Sequence, residues 1–172
     1  MASAPSGEAD RPIRTSVLSL HAVTTSSGLC FEDLQVGDEY QSPGRTVTEA
    51  DIVIFAGLSG DYNVLHTDAE HMKASVFGER IAHGLLGLSI QHGLLTRSMP
   101  DLNDERFIAL KWKFRGPIKI GDTLRVRGRL ASKKEAEEPG WGMITMERQV
   151  VNQRDEVVQE GETELMVERR PA

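Results

Sequence analysis

Cysteine is almost missing from this 172-residue sequence, where Cys30 stands alone. A single thiol cannot close an intramolecular disulfide, and no CxxC spacing exists to hold a structural zinc or a redox pair. A reducing, cytoplasmic compartment is the expectation. Long hydrophobic runs are missing too, since no stretch approaches the roughly 18 apolar residues of a membrane-spanning helix, so a membrane is not expected as a partner. Basic charge is in deficit: 26 Asp and Glu outweigh 20 Lys and Arg, for a formal net charge of −6. Nucleic acids and anionic membranes are bound by neutralising phosphates with Lys and Arg, so neither is expected as the main partner. Residues 1–28 lack the continuous apolar core of a secretory signal and are rich in Ser, Ala, Thr, Gly and Pro. They are expected to form a flexible tail, with Glu8 and Asp10 counting against an organelle transit peptide.

An apolar fraction of 39% and a charged fraction of 27% are ordinary for a soluble globular protein, and the length suits one domain, residues 29–172. Ordered structure is expected from about Phe31, with a turn at Val36-Gly37-Asp38 and one extended segment ending at Thr46 to Thr48. Thr48 followed by Asp51 is an acidic version of a capping box for a helix with an apolar face at Ile52, Val53, Phe55 and Ala56, ended by Gly57 and Gly60. Asp68 caps a short helix running toward Ser75. A longer helix, about His83 to Met99, is apolar nearly all round through Leu85, Leu86, Leu88, Ile90, Leu94 and Leu95, a pattern that marks burial on most sides. Its glycines, Gly84, Gly87 and Gly93, each cost up to about 1 kcal/mol against Ala in a helix interior, and close approach of a sheet or a ligand would compensate.

From Arg106 the pattern changes to alternation, with strands expected in RFIALKWKFRG, IKIGDTLRVRGRLAS, WGMITMERQVVNQ and DEVVQEGETELMVE. KKEAEEPG and Asn152 to Asp155 supply hairpin connections. Helices followed by a run of strands argue against a doubly wound fold and for an α+β architecture, in which a twisted antiparallel sheet wraps the apolar helix.

Chemistry concentrates in LSGDYNVLHT, residues 58–67. On pattern alone this is a turn after a helix in which Asp61 caps, Asn63 forms an Asx bend and His66 is a satisfied, partly buried histidine. The alternative is that Asp61 and His66 converge on one water molecule. A neutral imidazole can accept a proton at physiological pH, while a carboxylate holds the same water or returns a proton to substrate carbon. A metal site would draw on Asp61, His66 and His71, with His83 or His92, but residues five apart do not share a helical face and no HExxH spacing is present, so no metal is expected. His83-Gly84 opens the apolar helix. N–H groups in a first helical turn lack intrahelical acceptors, and glycine leaves them open to a ligand carbonyl that gains negative charge during reaction; the plain alternative is a small residue that eases packing.

Taken together, FAGLSGDYNVLHTDAEHMKASVFGERIAHGLLGLSIQHGLL resembles the MaoC-like dehydratase family, the (R)-specific enoyl-CoA hydratases, through its D-x-N-x-x-H-x-D segment and a later HG at the head of a long helix. The likeness extends over roughly residues 31–167, including KFRGPIKIGDTLRV. It implies a hot-dog fold, assembly as a homodimer or dimer of dimers, and reversible hydration of a trans-2-enoyl thioester, carried by coenzyme A or acyl carrier protein, to an (R)-3-hydroxyacyl thioester. Asp61 and His66 take the family's acid/base positions, Gly84 that of the carbonyl-binding glycine, Asn63 that of the turn asparagine, and His83 that of the histidine before the glycine. No cofactor is implied. Val64 replaces the family's proline, and His92, with Ser89 nearby, stands where some relatives carry an active-site serine. A hot-dog thioesterase and a non-catalytic acyl-thioester-binding subunit are the alternatives, and thioesterase signatures are not recognisable.

Overall fold

A computed structural model describes residues 28–98, 101–102 and 105–171. The expected tail, apart from Gly28, lies outside the described residues, as does the expected helix end at Met99. Four helices, α1 (Glu49–Ser59), α2 (Val64–Thr67), α3 (Ala69–Lys73) and α4 (Gly84–Leu95), lie between two short strands, β1 (Glu39–Gln41) and β2 (Arg45–Thr46), and four long ones. The long strands are β3 (Glu105–Phe114), β4 (Thr123–Glu135), β5 (Trp141–Val151) and β6 (Val157–Glu168). They form one antiparallel sheet in the order β1-β4-β5-β6-β3, with β2 also on β4.

Alternation sets the faces. Leu124, Val126 and Leu130 of β4 and Ile144, Met146 and Val150 of β5 point inward, while Arg125 and Arg129 stay outside. Leu86, Ile90, Leu94 and Leu95 of α4 meet Leu124, Val126, Val150 and Val158 of the sheet in one core cluster. Phe31 and Leu34 close a second cluster over Leu130, Ile144 and Leu165. Among the described residues no helix is long and apolar enough to cross a membrane.

Three local expectations change. The early strand is two, because the chain bends at Ser42-Pro43-Gly44: proline offers no N–H to a ladder, and the Ser42 hydroxyl takes the Val126 N–H at 2.8 Å. Val53 of α1 is exposed rather than part of the buried face, which consists of Ile52 and Ala56. Finally, α4 is buried on one side only. Leu85 is 60% exposed, and Ser89, His92 and Gly93 are open with it, since the sheet covers the helix from a single direction and leaves β3 as a free edge.

The glycines of α4 serve close approach, as expected for two of the three. A Cβ on Gly87 would stand 2.4 Å from both Gln159 Nε2 and Ile118 Cδ1, and one on Gly84 would stand 2.9 Å from the Phe114 ring. At Gly93 nothing lies within 4 Å, so packing within the described residues does not account for it.

Candidate active site

The Thr48/Asp51 capping box starts α1, with the Thr48 hydroxyl accepting the Asp51 N–H and the Asp51 carboxylate accepting the Thr48 N–H. Gly60 ends the helix in the left-handed region at φ 75°, where a side chain would be strained, and so turns the chain sharply into Asp61. Asp61 Oδ1 then accepts the Asn63 N–H at 3.2 Å, and Asn63 Oδ1 accepts the Leu65 N–H at 3.0 Å. The expected Asx bend at Asn63 is therefore also a helix cap. It starts α2, so His66 rides on a single helical turn instead of an irregular loop. Val64 occupies the first position of α2, where proline would be tolerated and pre-organised. Without proline the backbone φ at this position is not fixed by a ring.

His66 is 8% exposed, and its Nδ1 lies 2.7 Å from the carbonyl oxygen of Ile81. A carbonyl only accepts, so Nδ1 carries the proton and Nε2 of the neutral ring is left with its lone pair. That Nε2 is 3.9 Å from Asp61 Oδ2, too long for a direct hydrogen bond. One water oxygen about 2.8 Å from both acceptors spans this gap with an angle of roughly 90° at the water. The Asp61 side chain is about half exposed, so water reaches the pair.

His83 is 2% exposed and stacks on His66, with ring centroids 3.7 Å apart and planes 30° from parallel. Its Nε2 donates to the Asp61 carbonyl at 2.9 Å, and Phe55 backs it at 5.0 Å. Nδ1 of His83 has no hydrogen-bond partner among the described residues. Asp61, His66 and His83 each place a potential ligand atom within 4.8 Å of the others, which is close enough for an ion. His66 Nδ1 and His83 Nε2 are both engaged as N–H donors to backbone carbonyls, which leaves His66 Nε2, His83 Nδ1 and the Asp61 carboxylate as the atoms that face this space.

His83 is also the N-cap of α4 and makes no side-chain capping bond. The first intrahelical bond runs from Gly87 N–H to His83 O at 3.2 Å, which leaves the N–H groups of Gly84, Leu85 and Leu86 without acceptors among the described residues. These donors and the positive end of the helix dipole lie beside the His66/His83 stack. Of the residues singled out in the sequence, the structure thus gathers Asp61, Asn63, His66, His83 and Gly84. It does not gather His71, which is exposed on α3, or His92, which lies about 12 Å further along α4 by helical rise. His92 instead meets the edge of Phe107 at 6.3 Å, and Ser89 returns its hydroxyl to Leu85 O. The Ile81 carbonyl, which fixes the His66 tautomer, was not legible, because a backbone group leaves no mark on residue type.

The MaoC-like domain family matches residues 33–152. An (R)-specific enoyl-CoA hydratase of Rhodospirillum rubrum is 33% identical over 144 residues, covering 81% of this chain and 92% of that protein. The protein MaoC of Klebsiella aerogenes is 41% identical over 97 residues, 56% of this chain, and the match spans only 29% of that longer protein. Among solved structures, the MaoC-like dehydratase of Rhodospirillum rubrum superposes with a TM-score of 0.77 at 32% identity, covering 84% of this chain and 100% of that one. With the Asp61/His66 pair and the open first turn of α4 in place on this sheet, the chain belongs to the MaoC-like dehydratase family and has its hot-dog fold.

Proposed function

We propose that the protein catalyses the reversible hydration of a trans-2-enoyl thioester to an (R)-3-hydroxyacyl thioester. The observation that carries this is the His66 tautomer: Nδ1–H is engaged by Ile81 O, so Nε2 presents a lone pair opposite the Asp61 carboxylate, next to the uncapped N-terminus of α4. The names of the relatives, an (R)-specific enoyl-CoA hydratase and a 3-hydroxybutyryl-CoA dehydratase, support the same chemistry.

The thioester carbonyl accepts the Gly84 N–H, which draws electron density from the conjugated double bond and makes C3 electrophilic. Water held between Asp61 and His66 attacks C3. His66 Nε2 takes one of its protons as the C–O bond forms, and the charge moves onto the carbonyl oxygen as an enolate. The enolate collapses by taking a proton at C2 from the same acid/base pair, so that H and OH have been added and the side chains regain their starting states. Dehydration is the reverse. The carrier, coenzyme A or acyl carrier protein, is outside these residues' chemistry.

The assembly proposed is a homodimer. β3 is a free sheet edge on which Phe107, Ile108, Leu110 and Phe114 are all between 42% and 54% exposed, and the open Leu85 of α4 adds to that surface. Long apolar edges invite pairing with a second strand, and a two-fold axis beside β3 would join two sheets and cover both open helix faces.

The test is to supply crotonyl-CoA and longer enoyl-CoA esters and follow loss of enoyl absorbance. Hydration by the wild-type chain, abolished in His66→Gln, is the expected result. Release of free thiol without hydration would assign a thioesterase, and binding without turnover a non-catalytic acyl-thioester-binding subunit.

A further inference from the structure

Gln159 is 1% exposed near the start of β6, opposite Phe114 at the end of β3, and its amide joins two groups from distant parts of the chain. Oε1 accepts the Trp112 indole N–H from β3 at 3.0 Å, and Nε2 donates to the Gly84 carbonyl of α4 at 2.9 Å. Both assignments are forced, since an indole N–H can only donate and a carbonyl can only accept. The surroundings are shaped around this amide. Gly87 leaves the room Gln159 Nε2 occupies, 2.4 Å from where a Cβ would be, and Gly161 leaves the room for Trp112 Cε3, 2.5 Å from its own missing Cβ.

The Gly84 carbonyl belongs to the same peptide group as the Leu85 N–H, one of the three N–H groups at the start of α4 without an acceptor. A hydrogen bond to a peptide oxygen polarises that peptide and strengthens its N–H as a donor, and successive bonds in a chain reinforce one another. Trp112, Gln159 and the Gly84-Leu85 peptide form such a chain, with every dipole oriented the same way and an unsatisfied donor at the end. We infer that Trp112 and Gln159 are positioning residues for the carbonyl-binding end of α4: they hold its first turn against the sheet and polarise the Leu85 N–H, which serves beside the Gly84 N–H as a second donor to the enolate oxygen. The inference rests on the hydratase assignment above.

Because the relay acts on charge that develops during reaction, its loss lowers kcat and leaves KM for the enoyl thioester nearly unchanged. Removing an oxyanion donor outright costs about 100- to 1,000-fold. Weakening one through a relay is expected to cost roughly 10-fold in Gln159→Met and less in Trp112→Phe, which removes only the outer bond. The experiment measures kcat and KM for crotonyl-CoA in the full chain and both variants, with the absorbance of bound 2,4-hexadienoyl-CoA as a direct gauge of carbonyl polarisation. Wild type should shift the dienoyl band to the red, Trp112→Phe less so and Gln159→Met least, in step with kcat. Trp112→Phe retains a ring in the same space and keeps the test usable if Gln159→Met fails to fold. Wild-type hydration accompanied by an unchanged kcat and an unchanged band in a folded variant overturns the relay alone. A wild-type chain that neither hydrates crotonyl-CoA nor shifts the dienoyl band overturns the hydratase assignment, and the relay's role with it.

Discussion

Replacing Asp61 with asparagine separates chemistry from folding at this site. Oδ1 of Asp61 accepts the Asn63 N–H at 3.2 Å, a bond that an amide oxygen makes equally well, and the side chain is 52% exposed. Stability should therefore change by no more than about 0.5 kcal/mol, as for other surface substitutions that remove no packing. The other side of the group behaves oppositely. With the amide oxygen held by Asn63, the NH2 replaces Oδ2 opposite His66 Nε2, at the present 3.9 Å, so a donor stands where the water needs an acceptor and competes for the His66 lone pair. Loss of one member of an acid/base pair costs about 100- to 10,000-fold in rate, equivalent to about 3–5 kcal/mol of transition-state stabilisation. The assay is crotonyl-CoA hydration beside a thermal melt of the same preparation. Turnover within about threefold of wild type, with an unchanged melt, would refute the assignment of Asp61 to the reacting water.

Gly87→Ala would place a methyl 2.4 Å from Gln159 Nε2 and Ile118 Cδ1, and overpacking of this kind costs about 1–3 kcal/mol. A melting temperature no lower than wild type would contradict the close helix-on-sheet contact. Leu110→Lys puts a charge in the apolar edge of β3 and should convert a dimer into a folded monomer by light scattering; a variant that stays dimeric places the interface elsewhere. The Glu32 carboxyl accepts the Arg170 backbone N–H and the Arg169 guanidinium, which hold it well below its ordinary 4.5, at about 2. A lowered folded-state value means that the clamp between the short helical turn Phe31–Asp33 and the two arginines just after β6 is fully present above pH 4.5 and fades as pH falls toward 2. An NMR titration of the Glu32 carboxyl with a midpoint near 4.5 would refute it.

Much of the site was written in residue types. The Thr48/Asp51 box, the cap at Asp68, the start of α4 at Gly84 and the four long strands were readable because each depends on neighbours within a few positions. Asp61, Asn63, His66, His83 and Gly84 were readable as a set only through the resemblance to the MaoC-like family, since on pattern alone the stretch is a polar turn after a helix. The partners that define their chemistry were not. The Ile81 carbonyl sits 15 residues from His66, and Gln159 sits 75 residues from Gly84, joined only once β6 pairs with β3 beneath the helix. The apolar circumference of α4 was equally visible, but hydrophobic periodicity reports that a face avoids water without saying which chain covers it. That is why the sequence suggested burial on most sides where the sheet supplies one.

The glycines of α4 connect these levels. As helix residues they are poor choices, and alanine at Gly84 and Gly87 would each add up to about 1 kcal/mol of helix propensity. Two demands oppose that gain. In the proposed reaction the first turn must keep its N–H groups open toward an incoming carbonyl, and the same turn must sit low enough on the sheet for Gln159 to reach the Gly84 carbonyl at 2.9 Å. A side chain at Gly84 would meet Phe114, and one at Gly87 would displace Gln159 itself. Apolar contacts of Leu86 and Ile90 with the sheet core offset the propensity loss, which ties the hydrophobic stripe to the glycine-bearing first turn of the helix. A substitution at Gly87 that strengthened the helix in isolation would therefore weaken the fold, because that glycine lowers the helix onto the contact between Gln159 and the Gly84 carbonyl.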